Sequence, residues 1–365
     1  MLNQDYESFH QARAESIMSQ PESRFIESDG LKLHALTQGC GPLVLMTHGF
    51  PGLAYAWRHQ MAPLAEAGFT AVALDMLGYG HSDRPLEQTH YEAAAQQRHL
   101  AAVLDHFGAK QAIIIGQDFG AQYAWNFAVR APERVRAIIG MVPYDTDLAG
   151  RALRGSKPEA ADTPWARAAM ASASTPPSAR FAEMAKSHFV HVHYFQTVGS
   201  AEAELGAAPR EFLKRLLFAL SAEGNLLDWY NFPSEGTGYL DTLPPTPDLP
   251  WPWFSAADLD VYEREFMRLG AARAFIGGLN SYRTADANWV QGAPYADANV
   301  LQPALVVIGA EDPVLKLIDP EWQTLIKQRV PDLRGIVLVP GAGHNVQQEQ
   351  PAATTAAILD FIKKI

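Results

Sequence analysis

The segment Ala112-Ile113-Ile114-Ile115-Gly116-Gln117-Asp118-Phe119-Gly120-Ala121 runs a short, β-branched apolar stretch directly into a turn with small residues on both sides of an aspartate. Such a stretch is a fully buried strand. Glycines at the turn permit a strand-to-helix corner so sharp that the φ/ψ of its apex residue is strained and no bulk is tolerated beside it. A serine at that apex would attack acyl carbons. An aspartate is already ionised at neutral pH, needs no base to attack, and suits displacement at a saturated carbon that bears a strained or departing group. The resulting ester lies on the protein's own side chain and has to be hydrolysed there. Taken alone, Asp118 reads equally as an N-cap in a glycine-rich turn.

The surrounding pattern sets the fold class. Runs at 25–26 and 31–36, split by Asp29-Gly30, predict a tight hairpin. Apolar runs at 43–46, 70–74, 112–115 and 135–141 alternate with helical stretches at 91–107 and 121–130, and two more runs follow at 304–308 and 336–339. This alternation predicts an α/β fold, a mostly parallel eight-stranded sheet flanked by helices. Residues between the sixth and seventh strands have helical periodicity, many aromatics and a proline-rich segment at 243–253. They read as an inserted helical lid. The expected organisation is an N-terminal extension over 1–22, a core over 23–143 and 300–365, and a lid (cap) over 144–299.

Composition narrows the function classes. Of 365 residues, 48% are hydrophobic and 19% charged, which suits a globular enzyme rather than a disordered chain. No apolar run is long enough to span a bilayer, and residues 1–20 mix charges through the segment, so neither a membrane role nor a secretory signal is expected. A cytoplasmic protein is the expectation. The net charge of −11 argues against nucleic acid. One cysteine, Cys40, leaves no internal disulfide and no cysteine-based metal site.

Ligands of open parallel sheets bind outside the carboxyl ends of the strands. Four strand exits carry suggestive residues: His48-Gly49-Phe50-Pro51, Asp118, Asp312 in Gly309-Ala310-Glu311-Asp312-Pro313, and His344 in Gly341-Ala342-Gly343-His344-Asn345. The order Asp118, Asp312, His344 is the nucleophile, acid, histidine order of the α/β-hydrolase fold. Singly, Asp312 reads as a turn residue and His344 as a loop histidine. Jointly, at the correct exits, they read as a catalytic set.

With these residues in place, the chain resembles the soluble epoxide hydrolases of the α/β-hydrolase fold, over nearly its whole length from about Arg24. His48-Gly49-Phe50-Pro51 is similar to the family's oxyanion-hole signature, and residues 75–82 to its next loop. In the lid, Phe195-Gln196, Gly199, residues 201–205, residues 258–262 and residues 278–283 look like those of plant and mammalian members. The resemblance implies a covalent alkyl ester on Asp118, hydrolysed by water that His344 activates with Asp312 orienting it. It implies the backbone N–H groups of Phe50 and Phe119 as the oxyanion hole, with Pro51, in a cis bond or not, fixing the turn that aims Phe50. Two lid donors hold the epoxide oxygen, usually both tyrosine. The second maps onto Tyr282. The first maps onto His191, a departure shared with some bacterial members, with Tyr194 as the fallback. A histidine donor would favour ring opening at mildly acidic pH. His48, Pro51, Trp125 and Tyr194 are the candidate substrate contacts; the substrates are a small epoxide and water, with no cofactor or metal, and a homodimer stays open.

Other features read more plainly. His188, His191 and His193 resemble a metal cluster, but no single regular element presents all three and no carboxylate or cysteine sits at matching spacing. Trp57, Trp125, Trp251 and Trp253 read chiefly as packing, Gly78-Tyr79-Gly80 as a loop rather than a phosphate cradle, and His81 and Arg84 as solvated. The stretch 271–276 looks longer than in relatives and is expected to shape the pocket rim. Two rivals remain: a dehalogenase using the same aspartate, though Phe119 and Phe50 stand where a haloalkane enzyme holds halide with tryptophan, and a non-catalytic ligand-binding protein on a hydrolase scaffold.

Overall fold

The computed structural model describes residues 20–144, 174–318 and 320–365. Residues 1–19 of the expected N-terminal extension and residues 145–173 of the expected lid lie outside them. Among the described residues the strands are β1 (Glu22–Ser28), β2 (Leu31–Gln38), β3 (Leu43–Thr47), β4 (Thr70–Asp75), β5 (Ala112–Gly116), β6 (Val135–Gly140), β7 (Ala304–Gly309) and β8 (Leu333–Val339). They form one eight-stranded sheet in the order β1-β2-β4-β3-β5-β6-β7-β8. The hairpin is as expected: Ser28 pairs with Leu31, and the two turn residues, Asp29 and Gly30, sit at φ 53° and 75°, the left-handed values that a two-residue turn of this twist demands. β2 is antiparallel to β4, and every pairing from β4 through β3, β5, β6 and β7 to β8 is parallel.

Among the described residues three core helices precede the insertion: α1 (Arg58–Glu66), α2 (Ala93–His106) and α3 (Phe119–Arg130). Between β6 and β7 lie α4 (Pro177–Met184), α5 (His191–Tyr194), α6 (Ser200–Ala207), α7 (Pro209–Ala219), α8 (Tyr239–Thr242), α9 (Ala256–Met267), α10 (Ile276–Arg283) and α11 (Ala285–Gly292); α12 (Trp322–Arg329), α13 (Val346–Glu349) and α14 (Pro351–Ile362) complete the described set. Because side chains alternate along a strand, β5 splits its isoleucines between two cores. Ile113 and Ile115 pack with Trp57, Met61 and Ile358 on one face. Ile114 joins Leu100, Val103 and Phe127 on the other, in a cluster continuous with the insertion's own core. All five residues of β5 are buried, which is why that strand reads as an unbroken apolar run.

The insertion is bolted to the sheet by polar contacts that the sequence pattern does not announce. Arg84, expected to be solvated, is 2% exposed and donates to the carbonyls of Gly80, Glu265, Phe266, Arg273 and Ala274. A buried guanidinium must have such acceptors, and five donors on a planar fork can reach carbonyls from both bodies at once. His81 is partly exposed and pairs with Glu265 at 3.0 Å. Asp258 caps α9 through Ser255 and also takes Tyr55 Oη at 2.9 Å and Arg58 at 3.1 Å from the sheet side. The stretch 271–276 does not shape a rim. Ala274, Phe275 and Ile276 are buried, and the Phe275 ring packs on Phe266 at 5.0 Å and on Phe50 at 6.2 Å.

Candidate active site

Asp118 sits at φ 52°, ψ −124°, between the end of β5 and the start of α3. Few L-residues hold such a conformation, and where one does the surroundings must enforce it. Here the enforcement is contact: a Cβ on Gly116 would meet the Ala121 backbone at 2.5 Å, and one on Gly120 the Thr47 carbonyl oxygen at 2.4 Å. A Cβ on Gly49 would lie 2.1 Å from Asp118 Oδ1. The elbow reading of Asp118 therefore describes the geometry better than the N-cap reading, and no side-chain cap bond forms.

The carboxylate is met from two sides. The Phe50 N–H donates to Oδ1 at 3.0 Å, and His344 Nε2 stands 3.4 Å from Oδ2. His344 Nδ1 is 2.9 Å from Asp312 Oδ2, with all three side chains buried. The Asp312 carboxylate also accepts the Val314 N–H at 2.8 Å, which fixes its plane. Burial alone would lower the His344 pKa, but the two anions flanking the ring more than reverse that and raise it to about 10. Both flanking carboxylates thus favour the charged form of the ring. The peptide bond between Phe50 and Pro51 is cis. Phe119 follows Asp118 as the first residue of α3, and its ring lies 4.8 Å from that of Tyr282 in an edge-on arrangement.

Asp118, Phe50 and His344 line a cavity of about 590 Å³ together with His191, Tyr239 and Tyr282. The wall is dominated by aromatic and aliphatic side chains, as small-molecule sites are. His191 stacks on Trp229 at 4.6 Å and meets the Tyr282 ring edge-on at 5.4 Å. The two expected lid donors are therefore brought together in the cavity that Asp118 also lines.

Four expected contacts are placed elsewhere. Tyr194 turns away, donating its hydroxyl to Glu204 at 2.7 Å, and does not line the cavity, so the fallback donor is not in place. Trp125 is core: its indole N–H donates to the Val142 carbonyl at 2.8 Å and its ring fills the space over Gly140. His48 lies beneath the oxyanion loop, with Nδ1 donating to the Gly49 carbonyl at 2.8 Å and Nε2 accepting from the Met76 N–H at 3.1 Å. Burial lowers its pKa, so the neutral tautomer that this pairing needs is the stable one. Pro51 is buried in the same loop and is not part of the wall. Likewise, no residue of 271–276 reaches the cavity.

Several residues that hold or line the site escape a reading by motif. The Glu349 carboxylate accepts the N–H groups of Gly343, Asn345 and Ala222 at 2.8, 3.0 and 2.9 Å, holding both neighbours of His344 and the insertion in one grip. The His344 N–H donates to Leu220 at 2.9 Å, and Gln117 Nε2 donates to the His344 carbonyl at 3.2 Å. Tyr239 and Trp229 have no spacing that would single them out among the insertion's many aromatics.

Comparison with known proteins gives one consistent picture. Residues 42–197 match the family model described as the alpha/beta hydrolase fold. Epoxide hydrolase A of Mycobacterium tuberculosis is 34% identical, covering 94% of this chain and 98% of that protein. Epoxide hydrolase 2 of Siraitia grosvenorii is 31% identical, covering 95% and 100%. Among solved structures, an epoxide hydrolase from an endophytic Streptomyces superposes with a TM-score of 0.80 at 31% identity, over 94% of this chain and 96% of that one. Epoxide Hydrolase A from Mycobacterium thermoresistibile superposes with a TM-score of 0.78 at 34% identity, over 94% and 98%.

Proposed function

The chain belongs to the epoxide hydrolases of the α/β-hydrolase fold, and from that premise we propose that Asp118 is the nucleophile with which it opens epoxides to vicinal diols. The observation that carries this assignment is the convergence of Asp118, at a left-handed φ of 52°, with His344 and Tyr282 in the lining of one cavity. In the reaction, Asp118 Oδ attacks a ring carbon, the carbon–oxygen bond breaks, and the oxygen takes the electron pair. Tyr282 and His191 meet that oxygen as hydrogen-bond donors.

The proton balance follows from the charges. Before attack, two carboxylates face one imidazolium. Esterification removes the charge of Asp118, which lowers the His344 pKa and releases a proton, and the net acceptor of that proton is the alkoxide. Neutral His344, still oriented by Asp312, then removes a proton from water. The hydroxide adds to Cγ of Asp118, and the oxyanion falls to the N–H groups of Phe50 and Phe119. Collapse expels the diol, and one water proton ends on His344, restoring the starting pair.

A dehalogenase would use the same ester. The aromatic ring beside the nucleophile, however, is Phe119, which offers no N–H to a halide, whereas Tyr282 offers an O–H to an oxygen. The deciding experiment is mass spectrometry of His344→Gln mixed with styrene oxide. A stoichiometric adduct on the peptide containing Asp118 is expected; an unmodified Asp118 peptide beside continued diol production would refute the assignment.

A further inference from the structure

Tyr239 opens the four-residue helix α8, and nothing in the mechanism above uses it. It is 3% exposed and lines the same cavity as Asp118, His191 and Tyr282. Its main chain is well satisfied: the N–H donates to Glu204 at 3.1 Å and the carbonyl accepts from Thr242. Its hydroxyl is different. Among the described residues it has no hydrogen-bond partner, and it is not sealed from the cavity. A phenol O–H that its own protein leaves unbonded and that opens onto a cavity is free to donate to whatever occupies that cavity. Such a group is retained where something else in the site receives it.

Its surroundings indicate what that is. The ring is clamped in place, parallel to His191 at 5.6 Å and to Phe189 at 6.1 Å, with Phe195 edge-on at 5.3 Å. Glu204 holds the first two N–H groups of α8 and the Tyr194 hydroxyl together, so the helix that carries Tyr239 cannot drift. Burial raises the Tyr239 pKa well above the usual phenol value, and the neighbouring Tyr282 and Asp118 push it the same way, which places the hydroxyl within electrostatic reach of both. Tyr239 is therefore a protonated donor throughout the neutral range.

We propose that the Tyr239 hydroxyl is a further catalytic donor to the epoxide oxygen, acting with Tyr282, so that two phenols meet that oxygen although lid position 191 carries histidine. As the ring carbon–oxygen bond breaks, the oxygen takes the bonding pair and accepts hydrogen bonds from both phenols. The proton that it finally keeps is the one released by His344 on ester formation, or one drawn from solvent where His344 is replaced by Gln, so each phenol ends the step as it began. His191 stacks flat on Tyr239 and serves as its support as well as a third donor to the oxygen. This inference rests on Asp118 as nucleophile.

The test is the rate of ester formation in a single turnover, with styrene oxide and the His344→Gln background in which the ester accumulates. Tyr239→Phe preserves the ring and its packing. It is expected to slow ester formation by roughly 100-fold, as loss of one donor to a developing oxyanion does, with the melting temperature unchanged or raised. Replacing Tyr239 by 3-fluorotyrosine, a more acidic phenol of nearly the same shape, is expected to keep or increase the rate. A Tyr239→Phe rate within twofold of the parent overturns the proposal while leaving Asp118 in place. A slow fluorotyrosine protein, no faster than Tyr239→Phe, also overturns it, because shape rather than the hydroxyl would then matter. Absence of any adduct on Asp118 in the parent removes both assignments.

Discussion

Arg283 Nε donates to the carbonyl of Phe195 across 2.7 Å, and this bond ties the helix that ends just after Tyr282 to the segment that carries His191. The same guanidinium holds both oxygens of Glu202, at 2.7 and 3.0 Å, and Gln196 reaches back to the Tyr282 carbonyl at 3.3 Å. The Arg283 side chain is 2% exposed, so its charge depends on these acceptors. The separate lid motifs visible in the sequence are thus parts of one network. Its product is the relative position of Tyr282 and His191, the two proposed donors.

Arg283→Lys keeps the charge but loses the fork that spans carbonyl and carboxylate. We expect a stability loss of about 1.5–3 kcal/mol, the value of hydrogen bonds to a charged group, measured by urea unfolding. The rate of ester formation should fall with it, because the two donors lose their common frame. Unchanged turnover in a destabilised protein would show that the network serves folding alone.

Gly49→Ala should abolish activity without unfolding the protein. The added methyl would lie 2.1 Å from Asp118 Oδ1, closer than any real contact, so the nucleophile must be displaced. Misplacement on the scale of 1 Å lowers rates by roughly 100-fold. Circular dichroism and single-turnover alkylation report the two halves of this prediction, and near-native alkylation would contradict the close approach.

His344 has a folded-state pKa of about 10, raised above the 6.5 of a free histidine. The sign follows directly: its contribution to stability is complete below about pH 6.5 and is lost as pH rises through about 10. His344→Gln should therefore lose less melting temperature between pH 6.5 and 10 than the native protein does. Parallel alkaline decline in the two proteins would mean that the imidazolium between the carboxylates is not the stable form.

Glu349→Gln replaces one carboxylate oxygen by an N–H₂ group facing backbone donors, and so loosens the loop on both sides of His344. Ester hydrolysis should slow, by up to roughly 100-fold, while ester formation, which uses Asp118 directly, changes little. The signature is an ester that accumulates on Asp118 in the steady state. In the native protein burial, opposed by the three N–H donors, raises the Glu349 pKa to about 6, so the stability it adds in protonated form is present below about pH 4.5 and gone above 6. Acid resistance should drop in the variant accordingly.

What the sequence made legible was whatever repeats with a period or sits at a strand end. The β5 run, the Asp29-Gly30 turn and the order Asp118, Asp312, His344 carry local signals, because strand burial, left-handed turns and loop exits each restrict residue type. Tyr282 and His191 were reachable only through the family's motif. Arg84 was misread because a lone arginine after a loop carries no mark of the carbonyls that surround it, which come from 180 residues further along. For Trp125 the packing reading holds and the contact reading does not, while His48 reads as a contact but binds the backbone of Gly49 and Met76, because a side chain close in sequence to a strand exit carries no mark of the direction it takes. Tyr239 and Glu349 gave no signal at all: their roles arise from tertiary placement.

The Arg84 guanidinium, lodged among one carbonyl of the sheet side and four of the insertion, has a bearing on traffic. To swing the whole roof aside would strand that cation among unmade bonds, a penalty of several kcal/mol. Among the described residues, Met184, Tyr230 and Lys316 both line the cavity and are exposed, so traffic that leaves the Arg84 bonds intact would turn on rotamers such as theirs rather than on the roof as a whole.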